Sequence, residues 1–288
     1  MGQMLREVPI PLSAAIAPVD PVSAQPRARG SVDVSAKATA RGAGLCGLRQ
    51  SGSLKCLFPH GRGETLEAVL VNTAGGITGG DRFEVTARAG ADTVLTLTTQ
   101  AAERAYRAAP GETGRLDTRI RVEAGARVNW LPQETILFDG CAFERSLKID
   151  LAADAGLLMV EPLVFGRAAM GERLEQARFH DRIEIAREGA PVFVDALRLT
   201  GDVAAHLARP HIADGAGAMA LIVYAASDTE AHLEALRGLA GPTGGASLVR
   251  DDLLVARVLA GDSFALRRHI VPALTRLSRN TLPRCWMI

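Results

Sequence analysis

The sequence predicts a mainly β fold in which strands stack into a β-helix-like solenoid, with two α-helices in the C-terminal region. A unit of strand, small-residue turn and second strand recurs around Gly90, Gly125, Gly156 and Gly189, at spacings of 35, 31 and 33 residues. A repeat of this length is typical of stacked architectures, in which each unit buries its face on the next. The alternative is that A-G-A hairpins simply recur in an all-β protein.

The start of the chain divides into two parts. Residues 1–29 contain five prolines among alanines and serines, without helical periodicity, and we interpret them as a flexible arm. Residues 30–288 form a single predicted domain. Its first strand is the alternating stretch S-V-D-V-S-A-K-A-T after Gly30, and residues 53–59 predict a second strand.

The stretch T-A-G-G-I-T-G-G-D-R, residues 73–82, predicts a tight double glycine turn between two strands, residues 66–71 and the alternating run from Arg82. A phosphate-binding loop would need a lysine after the glycines and a helix behind the loop. Asp81 and a strand stand there instead, and a Rossmann fingerprint fails for the same lack of a helix. We therefore expect a structural or interface turn.

The C-terminal third predicts a different arrangement. A strand over residues 215–226 precedes a helix that starts at Ser227, with Glu230 completing a capping box, and ends near Ala240. Residues 248–260 predict a hairpin turned at 250–252. Gly261-Asp262 caps a second, amphipathic helix over residues 263–279, in which Pro272 is expected to produce a kink or a split.

Composition excludes several classes of function. The net charge of +1 gives no global field favouring nucleic acid or an anionic membrane. Four scattered cysteines form no C-x-x-C pair and no metal-ligand spacing with histidine. No secretory signal and no apolar run of about 18–20 residues is present. We expect a cytoplasmic protein with neither nucleic acid nor a membrane as its partner.

Acidic residues are the main candidates for polar chemistry. Glu134, Asp139, Glu161 and Asp195 recur just beyond the second strand of several repeats, either as solvated turn ends or as the lining of a polar path. Glu161 differs from the others because apolar residues flank Glu161-Pro162 on both sides. A carboxylate in such a run is either exposed at a strand edge or retained for use.

Two further segments suggest a recognition surface. Residues 166–172, G-R-A-A-M-G-E, form a second glycine-bracketed loop. From Thr98 the chain leaves the β pattern for a loop or short helix that exposes Tyr106 and Arg107. Tyrosine, arginine and methionine are enriched at protein interfaces.

Five segments in order carry a family resemblance: G-G-I-T-G-G-D-R (75–82), T-T-Q-A-A-E-R-A-Y-R (98–107), W-L-P-Q-E-T-I-L-F (130–138), E-P-L-V-F-G-R-A-A-M-G-E (161–172) and L-P-R-C-W (282–286). Together they resemble the urease accessory proteins of the D family, called H in some organisms. The likeness runs from about Gly30 to the last residue.

The resemblance implies a β-helical, non-enzymatic cytoplasmic protein. It implies a complex with accessory proteins F and G, of which G is the GTPase, and docking on urease apoprotein to help insert nickel. No cofactor is expected to be bound tightly. Nickel in transit through an internal polar tunnel would meet transient oxygen contacts, for which the candidates are Asp81, Glu134, Asp139 and Glu161.

The resemblance also implies a set of motif or interface residues, none of them catalytic. They are Gly75, Gly76, Gly79, Gly80, Asp81, Arg82, Tyr106, Arg107, Gly166, Arg167, Met170, Gly171, Glu172, Arg284 and Trp286.

The chain departs from the family pattern at two places. The segment before the tyrosine commonly carries a lysine, where this chain has Glu103-Arg104-Ala105. In the tail, Cys285 and Met287 replace an aliphatic residue and an arginine. Two other functions stay open from the sequence: a β-helical carbohydrate-active enzyme using Glu161 and a second carboxylate, and a structural β-solenoid without cargo. An aromatic content of 4% offers the former few sugar-stacking platforms.

Overall fold

The computed structural model describes residues 26–59 and 64–287. The strands are β1 (Arg29–Thr39), β2 (Gly42–Gly52), β3 (Leu54–Leu57), β4 (Thr65–Asn72), β5 (Arg82–Ala89), β6 (Val94–Thr99), β7 (Glu103–Ala105), β8 (Gly114–Val122), β9 (Arg127–Leu131), β10 (Thr135–Leu137), β11 (Ala142–Leu151), β12 (Gly156–Phe165), β13 (Ala177–Arg187), β14 (Ala190–Gly201), β15 (Ala218–Ala225), β16 (Gly244–Arg250) and β17 (Leu253–Ala260). The helices are α1 (Val203–Leu207), α2 (Glu230–Ala240) and α3 (Ser263–Leu277), with 3-10 turns at Ala168–Met170 and Arg284–Trp286.

The strands form two facing sheets. Sheet A has the order β14-β13-β11-β8-β5-β1-β2, and sheet B has the main path β16-β17-β15-β12-β9-β6-β4-β3. In sheet A, each of the strands β1, β5, β8, β11 and β13 pairs in parallel with the next one in this order. In sheet B, β4, β6, β9 and β12 do the same. The chain alternates between the sheets and climbs as a β-solenoid of about 4 turns. The predicted fold class is confirmed.

A narrow third face completes each turn. β7 pairs in parallel with β10, and β10 pairs with the last three residues of β12. Ile77 extends this ladder through a parallel bridge to Ala105. β12 therefore bends between two partners, and Glu161-Pro162 lies at the bend, after its pairing with β9 ends and before its pairing with β10 begins.

The period-two pattern of each strand fills the interior. In β5, Phe83, Val85, Ala87 and Ala89 are buried while the residues between them are exposed. Aromatic rings also meet across neighbouring turns, as Phe143 and Phe179 do at 5.6 Å. Alternation of this kind is expected of strands with one packed and one solvated face.

The outer face of sheet B carries a second core. Leu131, Leu158 and Val160 point away from the solenoid interior and belong to a cluster that includes Leu266 and Ile270 of α3. The two C-terminal helices therefore cover one sheet and leave the outward side chains of sheet A in solvent. Among the described residues, no helix is long and apolar enough to cross a membrane.

The repeated turns have two different roles. Around Gly90, Gly125 and Gly156 the chain crosses from sheet A to sheet B, so these turns are corners of the solenoid. At Gly189 alone, β13 and β14 pair antiparallel as a hairpin. The hairpin alternative therefore holds for the last repeat only.

Some local predictions were wrong or incomplete. Ser227, the predicted start of the helix, lies in a turn, and α2 begins at Glu230 with Thr229 as its N-cap. The Thr229 side chain makes no capping hydrogen bond, and its hydroxyl donates to the Asp251 carbonyl instead. α3 continues through Pro272 without a split, and Asp262 caps it as predicted. The short helix α1 and strand β2 were not predicted; β2 contains four glycines, which have low strand propensity.

The predicted arm lies mostly outside the described residues, which begin at Pro26. Its last residues contact the domain: Arg27 forms an ion pair with Glu112, and the Ala28 N–H donates to Asp81 Oδ1 at 2.7 Å.

Candidate functional site

The family-like segments lie on one side of the solenoid. Four long connections, residues 73–81, 100–113, 132–141 and 166–176, return the chain from sheet B to sheet A, and we call this the long-corner side. Backbone hydrogen bonds link successive connections: the Ile77 N–H donates to the Arg104 carbonyl and the Glu103 N–H to the Glu134 carbonyl, both at 2.8 Å. Parallel stacking thus brings together segments that lie far apart in the sequence.

The glycine-rich connection needs its glycines for two reasons. Gly75 and Gly80 have φ of +79° and +85°, a conformation that L side chains rarely adopt. Gly76 and Gly79 do not have positive φ but leave no room for a side chain, because a Cβ would overlap the Tyr106 ring in one case and lie 2.6 Å from the Glu112 Cβ in the other. The predicted turn between two strands is in fact a crossover between the sheets.

Asp81 stabilises this connection. Its Oδ2 accepts a hydrogen bond from the Thr78 N–H at 2.8 Å, and its Oδ1 accepts the Ala28 N–H. The side chain is 4% exposed. Arg82 donates through Nη1 to the Thr113 carbonyl at 2.7 Å, which ties the first long corner to the second.

The second and third long corners expose an aromatic and charged group. The segment predicted as a loop or short helix contains β7 and then Tyr106, whose ring meets Phe138 edge to face at 5.0 Å. Arg107 donates to Asp139 Oδ2 at 2.6 Å. Asp139 Oδ1 also accepts the backbone N–H of Glu175 and of Gln176, so this carboxylate fastens the third corner to the fourth.

The fourth long corner completes this surface. Arg167 forms a bidentate pair with Glu172, at 3.0 and 2.8 Å, while its guanidinium lies 4.2 Å from the centre of the Phe138 ring. Gly166 and Gly171 both have positive φ, and Met170 between them is 74% exposed. The composition suits a protein interface, and the interface role of these residues stays a prediction.

A buried charge cluster lies inside the long-corner side. The Arg145 guanidinium donates Nε and Nη2 to the two oxygens of Asp181 at 3.0 and 2.5 Å. Its Nη1 lies 2.6 Å from Glu161 Oε2, and Trp130 Nε1 donates to Glu161 Oε1 at 2.6 Å. Each of the three charged side chains is at most 7% exposed.

Sequence reasoning missed Arg145 and Asp181 although a signal was present. Arg145 stands in phase with the inward residues Phe143 and Leu147 of β11, and Asp181 is its register partner on β13. A charged residue at an inward position of an alternating strand predicts burial, and a buried charge needs a partner.

One cation faces two carboxylates in this cluster, which affects their protonation. Burial raises the pKa of Glu161 above its ordinary value, and Asp181 adds to the rise, although Arg145 and the Trp130 hydrogen bond oppose it. Burial by itself would lower the pKa of Arg145, but the charges of Asp181 and Glu161 outweigh it and raise that pKa. Arg145 therefore stays charged, and Glu161 takes up a proton more readily than a solvated glutamate does.

A cavity of ≈ 140 Å³ opens beside the cluster. Glu161, Arg145, Gln133 and Glu103 supply polar groups to a lining that is otherwise largely apolar. Glu161 Oε2 and Gln133 Nε2 are buried without an aligned hydrogen-bond partner among the described residues. Such atoms are uncommon in folded proteins and mark a place where a water or an ion would be accommodated.

Glu103 is the second carboxylate of this cavity. Burial raises its pKa, although the Asn72 amide, which donates to its oxygens at 3.2 and 3.1 Å, opposes the rise. Glu103 belongs to the segment in which the family pattern commonly carries a lysine. Its place in the cavity was not predicted from the sequence.

The C-terminal tail packs against the third long corner. Trp286 Nε1 donates to the Leu131 carbonyl at 3.0 Å, and the indole ring lies under Arg267 at 5.2 Å. Arg267 in turn pairs with both oxygens of Glu134 at 2.6 and 3.0 Å. Arg284 belongs to the same 3-10 turn, and burial raises the pKa of the neighbouring Cys285 thiol.

The structure separates the four candidate nickel contacts. Of the four, only Glu161 lines the cavity. Asp81 accepts hydrogen bonds at the first long corner, and Glu134 and Asp139 each pair with an arginine at the third. Asp195 pairs with Arg257 outside the solenoid interior. Within residues 26–59 and 64–287, no group of three or more histidine, cysteine or acidic side chains could hold a metal ion.

Comparison with known proteins identifies the family. The profile described as "UreD urease accessory protein" matches residues 28–287. The chain belongs to the UreD family. A "Urease accessory protein UreD" from Ruegeria pomeroyi is 60% identical over 241 residues, covering 84% of this chain and 94% of the relative. A second, from Roseobacter denitrificans, is 52% identical over 264 residues, covering 92% and 96%. The UreD resemblance of the five sequence segments is thereby confirmed.

Proposed function

We propose that this chain is a non-enzymatic accessory subunit for urease maturation in the cytoplasm. It acts in a complex with accessory proteins F and G on urease apoprotein while nickel is inserted into the active site. Membership of the UreD family carries the proposal, and the names of its relatives support it.

The interior cavity supports a role in passing nickel. Nickel is cargo here, and weak carboxylate or water contacts suit transit better than tight ligation does. Glu161 and Glu103 are two carboxylates that line the same cavity, and Glu161 Oε2 lies 2.6 Å from Arg145 Nη1. Because Glu161 and Glu103 line the cavity whereas Asp81, Glu134 and Asp139 do not, Glu161 and Glu103 are the first residues to test.

The carboxylate arrangement disfavours the glycosidase alternative. A glycosidase needs one carboxylic acid and one carboxylate free to face the sugar. Asp181 accepts both arms of the Arg145 guanidinium, and Glu161 lies against the same cation. A pair of Glu161 and Asp181 is therefore held by one cation and does not present two free carboxyl groups to a sugar.

Co-expression tests the proposal. A tagged chain is expressed with the urease subunits and accessory proteins F and G, and bound partners and nickel-dependent urease activity are measured. We expect partner retention, and loss of activation when this chain is omitted. Partners absent and activity unchanged would contradict the accessory role.

Glu161→Gln tests the nickel path within the same assay. We expect urease to contain less nickel while the bound partners are unchanged, since the shape of the cavity is kept and one anionic oxygen is lost. Glu188→Gln, an exposed change at the β13–β14 turn, is the control and should load nickel normally. Equal loss of partners and nickel would assign Glu161 a structural role.

A further inference from the structure

We propose that the outward face of sheet A docks an acidic surface of a folded partner protein. The inference deepens the proposed function, and rests on it, by naming the surface and the charge that one of the partners recognises. Its basis is the in-register arrangement of charges on β5 and β8.

The outward positions of these two strands are mostly charged. β5 presents Arg82, Glu84, Thr86 and Arg88, and β8 presents Arg115, Asp117, Arg119 and Arg121. The parallel register places Arg82 beside Arg115, Glu84 beside Asp117 and Arg88 beside Arg121. Between β5 and β8, every directly opposed charged pair therefore joins like charges.

The rows extend onto neighbouring strands. Arg29 on β1 is the register partner of Arg82, and Lys148 on β11 is the partner of Arg119. The rows that contain Arg115 and Arg121 end at β11, where Glu144 stands opposite the former and Asp150 opposite the latter. Like charges directly opposite each other destabilise a sheet, and mixed signs serve solubility better. The like-charge pairs between β5 and β8 therefore favour neither stability nor solubility, and they indicate that this surface binds another molecule.

Neutralisation within the face is incomplete. Arg115 and Lys148 each reach a carboxylate on an adjacent strand, and Arg88 pairs with Glu123 at a corner. Among the described residues, Arg119 and Arg121 form no ion pair, and both are exposed. They lie two residues apart on β8, at the centre of the face.

The face suits a protein better than a phosphate polymer or a membrane. Rows two residues apart on a strand are separated by about 6.6–7 Å, and neighbours along a row by about 4.8 Å. The acidic row of Glu84 and Asp117 lies between arginine rows and would repel closely spaced phosphates. A folded partner can place carboxylates opposite the arginines and leave the acidic row unopposed. A rigid sheet loses little entropy on docking.

The test is charge reversal at the unpaired arginines. Arg119→Glu with Arg121→Glu is compared with Arg250→Glu with Arg268→Glu, an equal charge change at exposed residues of the β16–β17 turn and α3. Binding of the full-length chain to purified urease apoprotein and to accessory proteins F and G is measured separately at low and physiological salt. We expect the first variant to bind one partner about tenfold more weakly, with a smaller salt dependence, and the control to bind as wild type.

Several outcomes would overturn the inference. If the reversal variant binds all three partners as tightly as wild type does, the docking surface is contradicted and the proposed function is not. If the wild-type chain binds none of the three, the proposed function is contradicted, and this inference with it. Loss of binding to RNA or anionic vesicles in place of a protein also overturns it. If the reversal variant does not fold, as judged by thermal unfolding, Arg119→Gln with Arg121→Gln gives the same comparison with a smaller expected effect.

Discussion

The two ends of the solenoid interior differ in chemistry. Beside the corners near Gly90 and Gly125, the inward residues are apolar, for example Ala89, Val122 and Leu157. Beside the long corners, β11, β13 and β12 place Arg145, Asp181 and Glu161 inside. Hydrophobic packing by itself closes the short-corner end, whereas the long-corner end depends on charge pairs and a cavity. The difference teaches that buried charge, which natural folds retain mainly at functional or strained sites, lies where the repeat is least regular.

The largest expected effect comes from removing the buried cation. Arg145→Met leaves two carboxylates in the interior without a counter-charge, and loss of a buried ion-pair partner costs about 3–5 kcal/mol. Urea unfolding of the purified chain measures the loss. Arg145→Lys keeps the charge but cannot pair bidentately with Asp181, so its loss should be smaller. Equal losses would mean that shape, and not charge, holds this end together.

Corner carboxylates give the next comparison. Asp81→Ala leaves the N–H groups of Ala28 and Thr78 without their acceptor, and a hydrogen bond to a charged group is worth about 1.5–3 kcal/mol. Asp154, at a short corner, accepts the Gly125 N–H but is exposed, so Asp154→Ala should cost less than about 1 kcal/mol. Thermal unfolding of both variants measures the contrast, and equal destabilisation would remove the distinction between the corners.

Two glycine-to-alanine substitutions compare the cost of a steric overlap with the cost of a strained backbone conformation. Gly76→Ala forces the Tyr106 ring to move, and overpacking of this kind costs about 1–3 kcal/mol. Gly171→Ala meets no atom within 4 Å and bears only the strain of φ +69°, about 1 kcal/mol. The denaturant concentrations at the unfolding midpoints of the two variants show which substitution destabilises the chain more. A greater loss at Gly171 would show that the Tyr106 ring is not held in place.

The smallest effect on stability is a change of pH dependence. The folded-state pKa of Glu161 is raised by burial, so the folded chain binds more protons than the unfolded chain, and stability falls as pH rises from the ordinary glutamate pKa toward the folded value. Glu161→Gln should therefore be more stable than wild type at neutral pH and should lose that advantage in acid. Unfolding curves across this pH range measure it, and a constant difference would refute the raised pKa.

Individual residues show how far the sequence could be interpreted. The alternation of β5 and the glycine spacing predict stacked strands, because both depend on neighbours in the chain. The predicted capping box of Ser227 and Glu230 does not form, because α2 begins only at Glu230, after a turn in which the Thr229 hydroxyl donates to the Asp251 carbonyl 22 residues away. The cavity carboxylate Glu103 was not recognised because its burial depends on three stacked connections.

The sequence by itself determined the repeat, the inward phase of each strand and the family, since these are properties of local pattern and motif. The tertiary structure decided which inward residues meet. Glu161 and Arg145 lie on different sheets, and the facing of the two sheets brings that carboxylate within 2.6 Å of the cation, at the point where β12 changes its parallel partner from β9 to β10. It also decided the register that aligns Arg82 with Arg115 and Arg88 with Arg121. Pairings of this kind depend on three-dimensional closure, because distances between side chains on different turns are set by stacking and not by separation along the chain.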